Sequence, residues 1–190
     1  MNKRSSGTSH DECVILVALG GNLPTEHGDP RRTLEAALRE MEAHGIRVVA
    51  VSRFFRTPPI SPHEQPDFVN AVAEVETDLG PAELLAELHG IERQFGRERR
   101  LRWFERTLDL DLLDYRGEVV EAVGERGPEA GTGPLPLALP HPGIPERGFV
   151  LVPLRDVAPA WKHPITGNSV DELVAALPPE ALAGIEALKP

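Results

Sequence analysis

Several residue types are scarce in this chain, and each shortage removes a class of protein. The lone cysteine, Cys13, excludes an internal disulfide framework and a cysteine-based zinc site. It opens the apolar run Val14 to Leu19 and is expected to be a small buried residue. No apolar run approaches the ~18 residues a membrane-crossing helix needs, and the first residues lack a signal-peptide core, so a cytoplasmic protein is expected. There is no Gly-x-x-x-x-Gly-Lys-Ser/Thr, which excludes a P-loop kinase, and there are no internal repeats. Lysine is nearly absent: 3 Lys stand against 17 Arg. With a net charge of −10, general adhesion to nucleic acid or membranes is not expected.

Against that acidic background stands one basic stretch. Between Arg93 and Arg106 lie six arginines, and Thr107-Leu108-Asp109-Leu110-Asp111-Leu112-Leu113 follows at once. A positive cluster inside a negative protein points to a specific anionic ligand. Arginine supplies permanent, bidentate donors suited to phosphate oxygens. Residues 97 to 106 are too charged to pack and read as a mobile loop, with Trp103 and Phe104 as aromatics able to close over a site. The alternation after Thr107 predicts a β-strand through Tyr115. Asp109 and Asp111 then share one face, roughly 6.5 Å apart along the strand, while Leu108, Leu110 and Leu112 face a core. Two adjacent carboxylates repel unless a proton or a cation neutralises them. A hard ion such as Mg2+ is held in this way, by one or two carboxylates together with substrate phosphates. An acidic solvent face is the plainer reading of Asp-x-Asp alone; the adjoining arginines favour the ion.

The rest of the chain reads as one domain, 13–177, between a disordered leader, 1–12, and a C-terminal tail, 178–190. Strands are predicted over Val14 to Leu19, Ile46 to Phe55, Phe68 to Glu76 and Thr107 to Tyr115. A helix runs from Pro30 to His44 with Asp29 as N-cap and Leu34, Ala37, Leu38 and Met41 on one face. A second starts near Pro81, carries Leu84, Leu85, Leu88 and Ile91, and ends at Gly96. Thr57-Pro58-Pro59-Ile60-Ser61-Pro62 is a stiff irregular loop, because three prolines fix φ and remove donors. Residues 121–138 form a flexible insertion rich in Gly and Pro. Arg147 to Leu154 is apolar, helical or extended, and Val170 to Leu177 is a short helix capped by Ser169. The order β-α-β-β-α-β predicts an α+β, ferredoxin-like antiparallel sheet with helices packed on it and a C-terminal extension.

Four separated motifs carry a resemblance. They are Phe55-Arg56-Thr57-Pro58-Pro59, Gln65-Pro66-Asp67-Phe68-Val69-Asn70-Ala71, Arg106-Thr107-Leu108-Asp109-Leu110-Asp111, and Pro140-His141-Pro142 with Arg147-Gly148-Phe149. In this order, from about Val14 to Pro159, the chain resembles the 6-hydroxymethyl-7,8-dihydropterin pyrophosphokinase family of folate biosynthesis. The resemblance implies transfer of pyrophosphate from ATP to the hydroxymethyl group of a dihydropterin, with release of AMP. It implies two Mg2+ ions on Asp109 and Asp111. Arg97, Arg99, Arg102 and Arg106 match the family's mobile catalytic loop, and Trp103 matches its tryptophan. Glu92, Leu112, His141 and Arg147, with Arg99 and Arg106, fall where the family contacts ATP. The pterin would lie between Phe68 and Phe149, its polar edge read by Asn70 and by the chain near Thr57, Pro58 and Ile60. A monomer acting on small molecules is expected.

The chain departs from the family pattern at several points. Phe104 stands where a small residue is usual, and Phe68 where tyrosine is frequent. Leu137 and Ala138 offer no polar side chain, and the insertion has no counterpart. Competing readings are a palm-type nucleotidyl transferase with paired aspartates and two metals, an RNA-binding module on the same topology, and a relative that binds ligand without turnover. The palm reading leaves the proline loop and the Gln65 to Asn70 segment without purpose. An RNA module needs a basic sheet with exposed aromatics, whereas Glu74, Asp109 and Asp111 make this sheet acidic.

Overall fold

A computed structural model describes residues 14–60, 64–96, 106–121 and 137–189. The first half builds β1 (Ile15–Gly21), α1 (Pro30–Ala43), β2 (Arg47–Val51), β3 (Phe55–Thr57), β4 (Phe68–Glu76), α2 (Pro81–Gln94) and β5 (Asp109–Tyr115). The remainder adds α3 (Gly148–Val157), α4 (Val170–Ala176), α5 (Pro179–Leu182) and β6 (Glu186–Ala187). The sheet runs β5-β1-β4-β3-β6, with β2 also paired to β4, and all named pairings are antiparallel. This is the expected ferredoxin-like α+β order, extended at the C-terminus.

Local chemistry sets the helix ends. Asp29 caps α1, its Oδ1 accepting from Arg32 N at 2.9 Å, and Pro30 begins the helix where its missing N–H costs nothing. Pro81 begins α2 in the same way, and Gly96, at φ 76°, lets the chain leave that helix in the left-handed region. Ser169 and Glu172 form a capping box on α4.

The buried residues fall into two layers. Leu34 and Met41 of α1 and Leu84, Leu88 and Ile91 of α2 pack on Val17, Leu19, Leu108, Leu110 and Leu112 from one side of the sheet. On the other side Val150, Leu151 and Leu154 of α3, with Leu173 of α4, cover Leu16, Val72 and Leu113. A register shift between β1 and β5 lets Val17 pair with Leu112 and Leu16 with Asp114. Leu113 is the extra residue of this bulge, so Leu113 and Asp114 both serve the second layer. Buried Asp114 there accepts from Trp161 Nε1 at 2.6 Å and from Gly117 N at 2.9 Å. Burial still pushes its carboxyl above the ordinary range.

Two predicted segments differ from what is found. The strand expected over Ile46 to Phe55 is broken, because Ser52 inserts itself into the ladder. Its N–H donates to Val72 O at 2.9 Å and its Oγ accepts from Val72 N at 3.0 Å. The stretch expected as a tail, 178–190, supplies α5 and β6 within the described residues. β6 closes the outer edge of β3, Phe55 facing Ala187 and Arg56 facing Glu186, and Leu188 N donates to Phe54 O at 2.8 Å. α5 lies so close to α3 that a Cβ on Gly148 would come within 2.0 Å of Ala181 O. Cys13, the leader and most of the insertion lie outside the described residues, although Val120 and Leu139 join the insertion's two ends by a β-bridge. Among the described residues no helix is long and apolar enough to cross a membrane.

Candidate active site

Strand alternation places Asp109 and Asp111 on the face covered by α3, beside Leu113 and opposite Leu110 and Leu112. Gly20 of β1 faces Asp109 on one side and Asn70 of β4 on the other. Residues paired across antiparallel strands share a face. Asp109, Gly20 and Asn70 therefore form one row across three strands, about 10 Å end to end at the usual strand spacing. Only glycine, with no side chain, stands in the middle. A Cβ there would sit 2.6 Å from Asn70 Oδ1, so the gap is required by the amide next to it.

At the carboxylate end each aspartate meets an arginine. Arg106 Nη1 is ion-paired to Asp109 Oδ2, and Arg147 Nη1 stands 3.6 Å from Asp111 Oδ2. The aspartate side chains are 19% and 28% exposed, open enough for an incoming ligand to reach them. His141 is anchored beside β5, its N–H donating to Leu113 O at 2.8 Å. Its Nδ1 accepts from Gly143 N at 3.0 Å, which leaves the proton of the neutral ring on Nε2. Burial, then the neighbouring Arg147 charge, lower its pKa to about 4 despite an opposing pull from Asp109. Gly143 makes room for this pairing: a Cβ would lie 2.7 Å from the Arg147 guanidinium and 3.0 Å from the imidazole.

At the amide end, buried Asn70 donates from Nδ2 to Thr57 Oγ1 at 2.7 Å. Thr57 faces Phe68 across β3 and β4. Phe68 is half-buried at the start of β4; Phe149 is half-buried in the first turn of α3, with the Arg147 guanidinium 5.8 Å from its ring centroid. Pro58 and exposed Ile60 continue the proline loop.

Two residues expected to contact ATP are held differently from the others. Glu92 is 1% exposed, and its Oε1 accepts from Leu110 N at 2.8 Å; it braces the edge strand from behind. Leu112 turns its side chain into the α1/α2 core, so only its main chain can face a ligand. Arg97, Arg99, Arg102, Trp103 and Phe104 lie outside the described residues. Sequence reasoning missed Gly20, Gly21 and Asn22. They follow the predicted strand Val14 to Leu19 as turn residues, and only their cross-strand neighbours reveal what they do.

Two adjacent carboxylates on one face are the oxygen donors a hard divalent ion takes. Among the described residues no third acidic or histidine ligand joins them. That pattern suits an ion completed by substrate phosphates rather than by a protein cage.

The 7,8-dihydro-6-hydroxymethylpterin-pyrophosphokinase (HPPK) family matches residues 16–159. A protein of Haemophilus influenzae called 2-amino-4-hydroxy-6-hydroxymethyldihydropteridine pyrophosphokinase is 43% identical over 146 residues, covering 76% of this chain and 81% of its own. One of the same name from Pseudomonas aeruginosa is 42% identical over 176 residues, covering 92% and 96%. Among solved structures, an HPPK-DHPS triple mutant of Plasmodium falciparum with pteroate superposes with a TM-score of 0.64 at 15% identity. That match covers 85% of this chain but only 42% of the solved one, and it bears on the fold alone.

Proposed function

The chain belongs to the 7,8-dihydro-6-hydroxymethylpterin-pyrophosphokinase family, and on that premise we propose how its side chains divide the work. The enzyme transfers pyrophosphate from ATP to 6-hydroxymethyl-7,8-dihydropterin in folate biosynthesis. The substrate hydroxyl forms a bond to the β-phosphorus, the bond between β-phosphorus and the bridging oxygen breaks, and AMP leaves with that oxygen. The hydroxyl proton passes to solvent. Such transfers need positioning and charge stabilisation more than covalent chemistry.

The row Asp109–Gly20–Asn70 carries the assignment. Asn70 spends one amide hydrogen on Thr57 and keeps Oδ1 over the gap at Gly20, facing the polar edge of the pterin. Phe68 and Phe149 flank the flat ring, with the main chain near Thr57, Pro58 and Ile60 completing the edge. The hydroxymethyl group then points along the row toward the carboxylates. Asp109 and Asp111 would hold Mg2+, two ions in our reading. When bound, the metal neutralises the triphosphate and aligns the attacking oxygen. With the carboxylates so engaged, Arg106 and Arg147 would be free to turn their guanidinium groups from Asp109 and Asp111 to phosphate oxygens. His141 stays neutral at physiological pH and offers Nε2–H to a phosphate. Leu112 contributes its main chain on the sheet's edge strand, and Glu92 keeps that edge straight. The protein works as a cytoplasmic monomer on small molecules.

A palm-type nucleotidyl transferase would release free pyrophosphate. Incubation with Mg2+, ATP and 6-hydroxymethyl-7,8-dihydropterin should instead give AMP and the pterin diphosphate; free pyrophosphate with no AMP would overturn the assignment.

A further inference from the structure

The knuckle Gly20-Gly21-Asn22 does more than end a strand. Asn22 is 2% exposed, and its side chain joins two segments far apart in sequence. Its Oδ1 accepts from Arg106 N at 2.8 Å, while Nδ2 donates to Pro66 O at 3.1 Å and Gln65 Oε1 at 3.2 Å. Its own N–H donates to Arg106 O at 2.9 Å, and Leu23 N to the same oxygen at 3.1 Å. One partner is a main-chain N–H and another a main-chain carbonyl, so the amide can point only one way. Gly21 adds a close main-chain approach: a Cβ there would lie 2.6 Å from Thr107 O. A buried amide with its partners in place is a stiff connector, since releasing either one strands a polar group away from water.

Each connected segment leads to one half of the site. Arg106 is ion-paired to Asp109 at the carboxylate end. Pro66 lies two residues before Phe68, which faces Thr57 at the pterin end. We propose that Asn22 is a positioning residue that couples Arg106 and Asp109 to the Gln65–Phe68 segment, so that filling one half of the site favours filling the other. The proposal rests on the assignment of the two halves in the preceding subsection. No other side chain does this at the same size: aspartate keeps the acceptor for Arg106 N and loses both donors, and leucine loses everything.

Coupling of this kind is reciprocal, the same factor being read from either ligand. The test uses full-length wild type, Asn22→Asp and Gln65→Ala. Dissociation constants are measured for 6-hydroxymethyl-7,8-dihydropterin with and without Mg2+ and a nonhydrolysable ATP analogue, and for the analogue with and without the pterin. Turnover, KM and Tm are recorded alongside. In wild type each ligand should tighten the other at least ~5-fold. Asn22→Asp should bring that factor close to one from both directions and lower kcat, with the analogue alone binding as in wild type. Gln65→Ala cuts one of the two tethers at a half-buried position and should reduce the factor part way. A wild-type factor of one overturns the proposal, as does a factor that survives in both variants. So does a uniform weakening of both ligands together with a lower Tm, which marks a purely structural amide. If Asn22→Asp does not fold, an unchanged factor in Gln65→Ala decides against the coupling. Failure of the underlying assignment looks different: wild type then forms no AMP and binds no pterin.

Discussion

The two faces of this sheet are both covered by helices, yet only one is finished as core. On the α1/α2 face the strands present Val17, Leu19, Leu110 and Leu112 as core, and the buried carboxylate of Glu92 beside them is engaged by Leu110 N. On the α3/α4 face Leu16, Val72 and Leu113 of β1, β4 and β5 cluster with Trp161 and Leu151, but the end at Gly20 is left polar. The same strands make both surfaces. Stability is concentrated on one side, and the proposed chemistry is assigned to the unfinished end of the other.

Substitutions of equal size should therefore have unequal consequences on the two faces. The largest effect on activity is expected from Asp111→Ala, which should cut AMP formation by at least ~10³-fold, several kcal/mol of lost metal assistance, while Tm stays near that of wild type. A mutant with wild-type turnover would remove Asp111 from the site. Leu88→Ala, on the finished face, should do the opposite. It should cost about 2–5 kcal/mol of stability in a urea titration, with the folded fraction still active. Trp161→Phe removes the donor to Asp114 and should cost roughly 1–3 kcal/mol; an unchanged urea midpoint would show that water replaces the indole N–H.

Gly20→Ala tests the boundary between the two roles. Its Cβ intrudes on Asn70 Oδ1, so KM for the pterin should rise by about tenfold, equivalent to ~1.4 kcal/mol, with nucleotide affinity little changed. Equal loss for both substrates would mean that the row does not separate them.

The smallest effect is on pH dependence. The folded pKa values of His141 and His163 both lie below the ordinary imidazole value of 6.5, chiefly through burial, His141 at about 4. Between those limits the unfolded chain binds more protons than the folded one. Stability conferred by the neutral rings is present above pH 6.5 and is lost as the pH falls toward about 4. Thermal melts should show Tm declining over that window, and His141→Gln should flatten the decline. A decline of equal slope in that variant would assign the effect to other groups.

Much of this arrangement was legible in the sequence. Leu108, Leu110 and Leu112 alternating with Asp109 and Asp111 fixed which way the carboxylates point. Asp29, Pro30, Pro81 and Ser169 marked helix starts because capping is a local matter. What stayed hidden depended on neighbours distant in the chain. Gly20 and Asn22 look like ordinary turn residues until Asn70 and Arg106 are placed beside them. Ser52 interrupts an apolar run that reads as continuous strand, because its hydroxyl finds Val72 only in the folded sheet. β6, two residues long, has no periodicity to detect. Its existence follows from an unpaired edge on β3.

That last pairing sets a limit on how the chain can be shortened. The family match ends at 159, and a protein trimmed to Leu177 would keep every side chain assigned to catalysis. It would also bare the hydrogen-bonding groups of Phe55 and Arg56 and withdraw the carbonyl that backs Gly148, next to Phe149. Such a fragment should be prone to self-association along that strand and should hold the pterin poorly, although none of the residues removed is among those assigned to the substrate.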